Sequence, residues 1–192
     1  MTLQRRGLRL AAAAVATALL AGCATTQVSS FLERGIDISR YRAYAWGPPD
    51  MLATGDPRLD SNPFFQTRVQ AEVDRRLAAQ GFEKTDAAAA DLLVHYHVSV
   101  TQRIDVNSVD QQYGYCNDCR PDLYDAGTLT LDLVDARTNR LAWRGWAARS
   151  FDGVLDRQEW MEQQIDRAVA RILDQLPRAF ALARGAQSPA LP

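Results

Sequence analysis

Cysteine and histidine are scarce in this chain of 192 residues, with three Cys and two His. Three Cys cannot build a disulfide-dense scaffold, and the two residue types together barely suffice for one metal site. Charge of one sign is also lacking. Lys+Arg is 22 against 23 Asp+Glu, a formal charge of −1. That balance excludes a strongly basic nucleic-acid binder, because neutralising phosphates demands a clear cationic excess. No apolar run reaches the roughly 20 residues that a membrane-spanning helix requires; the longest, Leu10–Ala21, has 12. Phosphate-binding loops are missing, with neither Gly-x-x-x-x-Gly-Lys nor a dinucleotide fingerprint. Gly-x-Ser-x-Gly is absent too, and neither His has an obvious Ser or Cys partner at a strand end, which argues against nucleophilic catalysis. What remains is ordinary globular composition, 47% hydrophobic and 23% charged, which fits one folded domain and not a disordered chain.

The N-terminus reads as an address. Arg5, Arg6 and Arg9 form a positive region ahead of Leu10–Ala21, and the small residues Ala21 and Gly22 precede Cys23. An apolar block of this length is the core of a secretory signal. Leu20-Ala21-Gly22-Cys23 resembles the bacterial lipobox, in which the Cys thiol becomes the lipid carrier. Arg5-Arg6 also resembles a twin-Arg export signal, the alternative route. Residues 1–22 are therefore expected to be a lipoprotein signal peptide and residues 23–30 a short lipidated tether, polar and small in composition. Loss of Arg5, Arg6 and Arg9 takes the formal charge from −1 to −4. The expected partner at Cys23 is membrane lipid, since stable anchoring takes more than one acyl chain and a mature lipoprotein carries two or three. Ala24 in place of Asp after that Cys resembles the outer-membrane sorting pattern.

The remainder reads as one α+β domain over residues 31–184, with a frayed tail at 185–192. Tyr41–Trp46 is a short aromatic strand closed by Gly47-Pro48-Pro49. Asn62-Pro63 is an N-cap followed by Pro at the first helical position, and Phe65, Val69, Val73 and Leu77 mark one helical face that Gly81 ends. Phe82–Thr85 is a short strand. In Leu92–Arg103, Leu92, Val94, Tyr96, Val98 and Val100 alternate with polar residues that include His95 and His97. Period two with one apolar face means a sheet half-buried on one side. Thr128–Val134 alternates in the same way, and Leu141–Phe151 returns as its hairpin partner, with a bulge expected at Gly145. Ile165, Val169, Ile172, Leu173 and Leu176 trace a second amphipathic helix that Pro177 ends. The pattern predicts a two-layer sandwich, a mostly antiparallel sheet of about five strands with both helices on its apolar face.

Several segments taken in order resemble a known family. They are Tyr41-Arg-Ala-Tyr-Ala-Trp46, Asp56-Pro-Arg-Leu-Asp60, Gln80-Gly81-Phe82, Ala90-Asp-Leu-Leu-Val-His-Tyr-His-Val98, Gly127-Thr-Leu-Thr-Leu-Asp-Leu-Val-Asp-Ala136 and Leu141-Ala-Trp-Arg-Gly-Trp-Ala147. Together they resemble the bacterial lipoproteins called "domain of unknown function 4136", over about Phe31 to Pro177. The resemblance implies a cell-envelope lipoprotein and brings no reaction and no catalytic residues. Where that family is Gly- and aromatic-rich before Gly127, this chain has Cys116 and Cys119, so nothing about the pair carries over.

Three readings compete for Cys116-Asn-Asp-Cys119. With Cys23 taken by lipid, the pair is expected to close a small disulfide in an oxidising envelope. A redox-active pair would need a helix N-terminus, and none is expected there. The third reading joins the pair to His95 and His97, two apart on one strand face, as four ligands for a tetrahedral Zn or Cu(I) site. Carboxylates such as Asp132 and Asp135, and the helical group Arg68, Glu72, Asp74, Arg75 and Arg76, read as solvated surface. Trp143, Trp146, Tyr44 and Trp46 read mainly as packing, with Trp146 the one expected on the open face. That face should also carry Thr128, Thr130 and Asp132 and serve as a partner surface. The leading expectation is an outer-membrane-anchored interaction module without enzymatic activity, cofactor or nucleic-acid partner. The alternative is a metal-binding envelope protein.

Overall fold

The computed structural model describes residues 26–49, 53–60, 62–104, 123–151 and 153–177. Six strands form one sheet: β1 (Gln27–Leu32), β2 (Ala43–Trp46), β3 (Glu83–Lys84), β4 (Leu92–Ile104), β5 (Leu123–Asp135) and β6 (Arg140–Ser150). Their spatial order is β1-β6-β5-β4-β2-β3. Two helices, α1 (Pro63–Ala79) and α2 (Gln158–Leu173), pack with the sheet's apolar face and with each other. The two-layer α+β expectation holds. Its sheet is mixed, though, and larger than expected: β1, β6, β5 and β4 pair antiparallel in sequence of position, while β2 pairs parallel with both β4 and β3. The parallel β2–β3 pair follows from α1, since parallel neighbours require a crossover and α1 is that crossover.

The sixth strand is β1, which begins within the stretch read as a tether, residues 23–30, and runs two residues past it. Gln27–Leu32 pairs along its length with Trp143–Ala148 of β6. It was hidden because its side chains are mostly exposed; its place is held by main-chain hydrogen bonds that leave no periodic apolar signature.

The helices form where their sequences dictate. Asn62 Oδ1 accepts from the Phe65 N–H at 3.0 Å, with Pro63 at the first turn. Phe65, Val69, Val73 and Leu77 are all buried, and Gly81 adopts the left-handed conformation after the helix, φ 78°. From α2, Met161, Ile165, Val169, Ile172 and Leu173 join Leu129, Leu131, Leu133 and Trp143 of the sheet in one core.

Gly145 does not mark a bulge. The register shift falls between Leu133 and Val134, whose partners are Trp143 and Leu141, so Ala142 is the extra residue of β6. Gly145 has another task. A Cβ there would lie 2.3 Å from the Trp143 ring and 2.7 Å from Ile172 Cγ2, so its bare backbone is what makes room for the indole and for Ile172 of α2. Trp143 is fully buried, and its indole N–H has no acceptor among the described residues.

Candidate functional surface

The face of the sheet away from the helices collects most of the polar residues singled out in the sequence. Cross-strand register places His95, Asp132 and Arg144 in one row and His97, Thr130, Trp146 and Ser29 in the next. Thr128 and Ala148 follow, and Phe31 of β1 lies beside Arg144. Phe31 is 46% exposed, an apolar side chain at the edge of a polar field.

Asp132 is not the open carboxylate that its position suggested. It is only 4% exposed. The Arg144 guanidinium donates to both its oxygens, Nε to Oδ1 and Nη2 to Oδ2, each at 2.6 Å. His97 Nε2 lies 3.3 Å from Oδ2. The bidentate pair raises the Arg144 pKa, chiefly through its hydrogen bonds to Asp132. Asp132 therefore serves to orient two neighbours, and Arg144 and His97 are what the surface presents. His95 is set differently. Its ring lies over Gly47, where a Cβ would come within 2.1 Å of Cε1, so the glycine provides its seat.

Two of the four residues of the alternative metal site, His95 and His97, thus share a face, each with its own neighbour. Cys116 and Cys119 lie outside the described residues, as do Cys23 and the tail at 185–192. Among the described residues no group of three or more His, Cys, Asp or Glu is placed to hold a metal ion. Among them also, no helix is long and apolar enough to cross a membrane. Trp146 is half-buried on the open face, whereas Trp143 and Tyr44 are core residues. Trp46 turns toward the helices. Its Nε1 and the Tyr44 hydroxyl both donate to Asp74 Oδ1 at 2.9 Å, and Lys84 Nζ donates to Oδ2 at 2.8 Å. Burial, then the bond to Asp74, pushes the Tyr44 hydroxyl well above its ordinary pKa.

A second polar cluster escaped the sequence reading. Asp135, at the end of β5, is 2% exposed, not solvated. It accepts from the Tyr41 hydroxyl at 2.8 Å, Arg40 Nη2 at 2.5 Å, the Thr138 N–H at 2.8 Å, Thr138 Oγ1 at 2.9 Å and the Arg137 N–H at 3.0 Å. Burial alone would raise its pKa, but the bonds from Thr138, Tyr41 and Arg40 outweigh it and hold the carboxyl far below the usual range. The signal available in the sequence was local: Asp135-Ala-Arg-Thr-Asn139 is an Asp-initiated turn in which the carboxylate caps the backbone N–H groups after it. The contacts with Arg40 and Tyr41 span more than ninety residues and had no such signal. Glu72 is likewise buried, not part of a solvated face. Burial favours its protonation, and its bonds from Arg75 and Arg76 more than reverse that, lowering its pKa.

These features define a protein class, a two-layer α+β domain with one sheet face covered by helices and the other open. The chain belongs to the family described as "Domain of unknown function (DUF4136)", whose profile matches residues 28–178. No curated protein matches its sequence. Among solved structures it is similar to a leucine-to-methionine variant of the PelC dodecamer from Paraburkholderia phytofirmans, with 12% identity, TM-score 0.45, and 78% of this chain and 95% of that one covered. A DUF4136 family protein from Bacteroides thetaiotaomicron has 8% identity, TM-score 0.44, and coverages of 76% and 94%. A putative neuraminyllactose-binding hemagglutinin homolog from Helicobacter pylori has 10% identity, TM-score 0.41, and coverages of 74% and 86%.

Proposed function

We propose that this chain is a lipoprotein of the bacterial envelope, anchored in the outer membrane through acyl groups on Cys23, whose domain is a non-enzymatic interaction or structural module. One observation carries the reading: a charged region, an apolar block and Leu20-Ala21-Gly22-Cys23 occur in the order that lipoprotein processing requires. The fold supports it. β1 begins four residues after Cys23, so a fully extended chain places the sheet edge within about 14 Å of the lipidated residue. The open face, with Arg144, His97, Thr130, Trp146 and Phe31, offers hydrogen-bond donors and acceptors beside exposed apolar area and no enclosed reaction chamber. That is the composition of a recognition surface.

Replacing Cys23 tests the anchor. Cys23→Ala should move the protein from the outer-membrane fraction to the soluble periplasmic fraction, with its domain folded. A processed Cys23→Ala protein that still pellets with outer membrane would overturn the reading.

A further inference from the structure

We propose that the cleft between the sheet and the first half of α2 is a binding site for a single-chain anionic amphiphile, a medium-chain fatty acid. Its walls are apolar: Val98, Leu129, Ala147, Phe151, Met161 and Ile165. Phe151 is held in place by the bare backbone of Gly127, where a Cβ would lie 2.8 Å from its ring. The cleft is partly open, and its cavity volume is about 60 Å³, room for roughly four water-sized groups. It takes the end of an alkyl chain, and the rest of the chain runs along the open mouth.

The rim supplies the choice of head group. Arg149 and Arg167 border the cleft, and among the described residues no Asp or Glu does. Arg149 Nη1 donates to a neutral acceptor, Gln164 Oε1, at 2.5 Å. Neither arginine has a salt-bridge partner among the described residues. Two guanidinium groups over an apolar slot, without a carboxylate partner among the described residues and in a chain with a net acidic balance, complement a carboxylate whose tail is hydrocarbon. Position adds to this. Thr26 also lines the cleft, and it lies only three residues from Cys23, within about 11 Å on a fully extended chain. The nearness of the cleft to a bilayer rests on the lipid-anchor reading; the binding chemistry does not.

Met161 provides the probe. Once the signal is removed, Met51 and Met161 are the only methionines. Full-length protein isolated from membranes, ¹³C-labelled at the methionine methyls and placed in phosphatidylcholine nanodiscs, is titrated with octanoate and with octanol. Octanoate should shift the Met161 methyl resonance saturably, and octanol should bind about tenfold more weakly. Ala168→Trp, which fills the cleft, should abolish the shift while cooperative thermal unfolding is retained. Arg149→Gln with Arg167→Gln should reduce octanoate to the affinity of octanol and leave octanol unchanged. Equal affinity for the two ligands, or a linear shift common to Met51 and Met161, would overturn the proposal. If the protein is recovered without lipid, the anchor reading has failed, and the same titration in buffer still decides the cleft.

Discussion

At the scale of single residues, the organising feature is arginine held by buried or half-buried carboxylates. Of the 22 basic residues, 21 are Arg, and its planar fork suits bidentate pairing in a way that a lysine ammonium does not. Arg144 on Asp132, Arg68 on Asp166, Arg58 on Asp56 and Arg75 on Glu72 are all of this kind. Glu72 and Arg75 have the spacing of neighbours on one helix face, but the pairing of Arg144 with Asp132 was not legible, because an Asp on a strand looks the same whether it faces water or a guanidinium. Asp135 gives the sharpest consequence. Its folded pKa is depressed, so its contribution is fully present above the ordinary carboxylate value of about 3.9 and is lost as pH falls toward the folded value. Asp135→Ala should destabilise the protein at neutral pH by roughly 3–5 kcal/mol, because Tyr41 and Arg40 lose their buried acceptor. Urea unfolding of wild type and variant at several pH values would check this: their stabilities should converge between about pH 5 and pH 2. A gap that stays constant across that range would show that the carboxylate's charge is not what stabilises the site.

At the scale of elements, legibility followed periodicity. Both helices and the long strands announced themselves, since each buries one face and the buried positions recur at 3.6 or 2.0 residues. β1 did not, because an edge strand is fixed by main-chain pairing and not by apolar side chains. Nor did the parallel pairing of β2 with β4, which depends on where α1 delivers the chain. Gly145 was noticed for the right reason, an out-of-place glycine in a strand, but its role belongs to packing and not to a bulge. Its neighbours are a rigid indole and a helix residue, neither able to swing away as a flexible chain end would. Gly145→Ala should therefore cost roughly 1–3 kcal/mol through overpacking against Trp143 and Ile172. Thermal unfolding measures it. A variant as stable as wild type, or more so, would mean that the indole has room to move and that the close packing of α2 on β6 is looser than described.

At the scale of the whole molecule, the placement of β1 would turn the proposed lipid anchor into an orientation. Gln27 pairs with Ala148 near the end of β6, whereas the hairpin turn after Asp135 leads into Arg140 at the start of that strand. Arg140 and Ala148 are separated by roughly 27 Å at the rise of an antiparallel strand. If Cys23 carries the proposed lipid, four residues before β1, the Gln27 end must stay near the bilayer, and the hairpin end is free to lie far from it. A tether of residues 23–30 alone, with no strand inside it, would allow either end to approach. Spin labels carried on an unnatural side chain at Gln27 or at Arg137, both exposed, distinguish these cases in vesicles doped with a nickel-chelating lipid. The label at Gln27 should be relaxed strongly and the label at Arg137 weakly. Equal relaxation at the two positions would mean that the sheet edge does not stay beside the membrane, and that the six-residue pairing of β1 with β6 does not persist in the anchored protein.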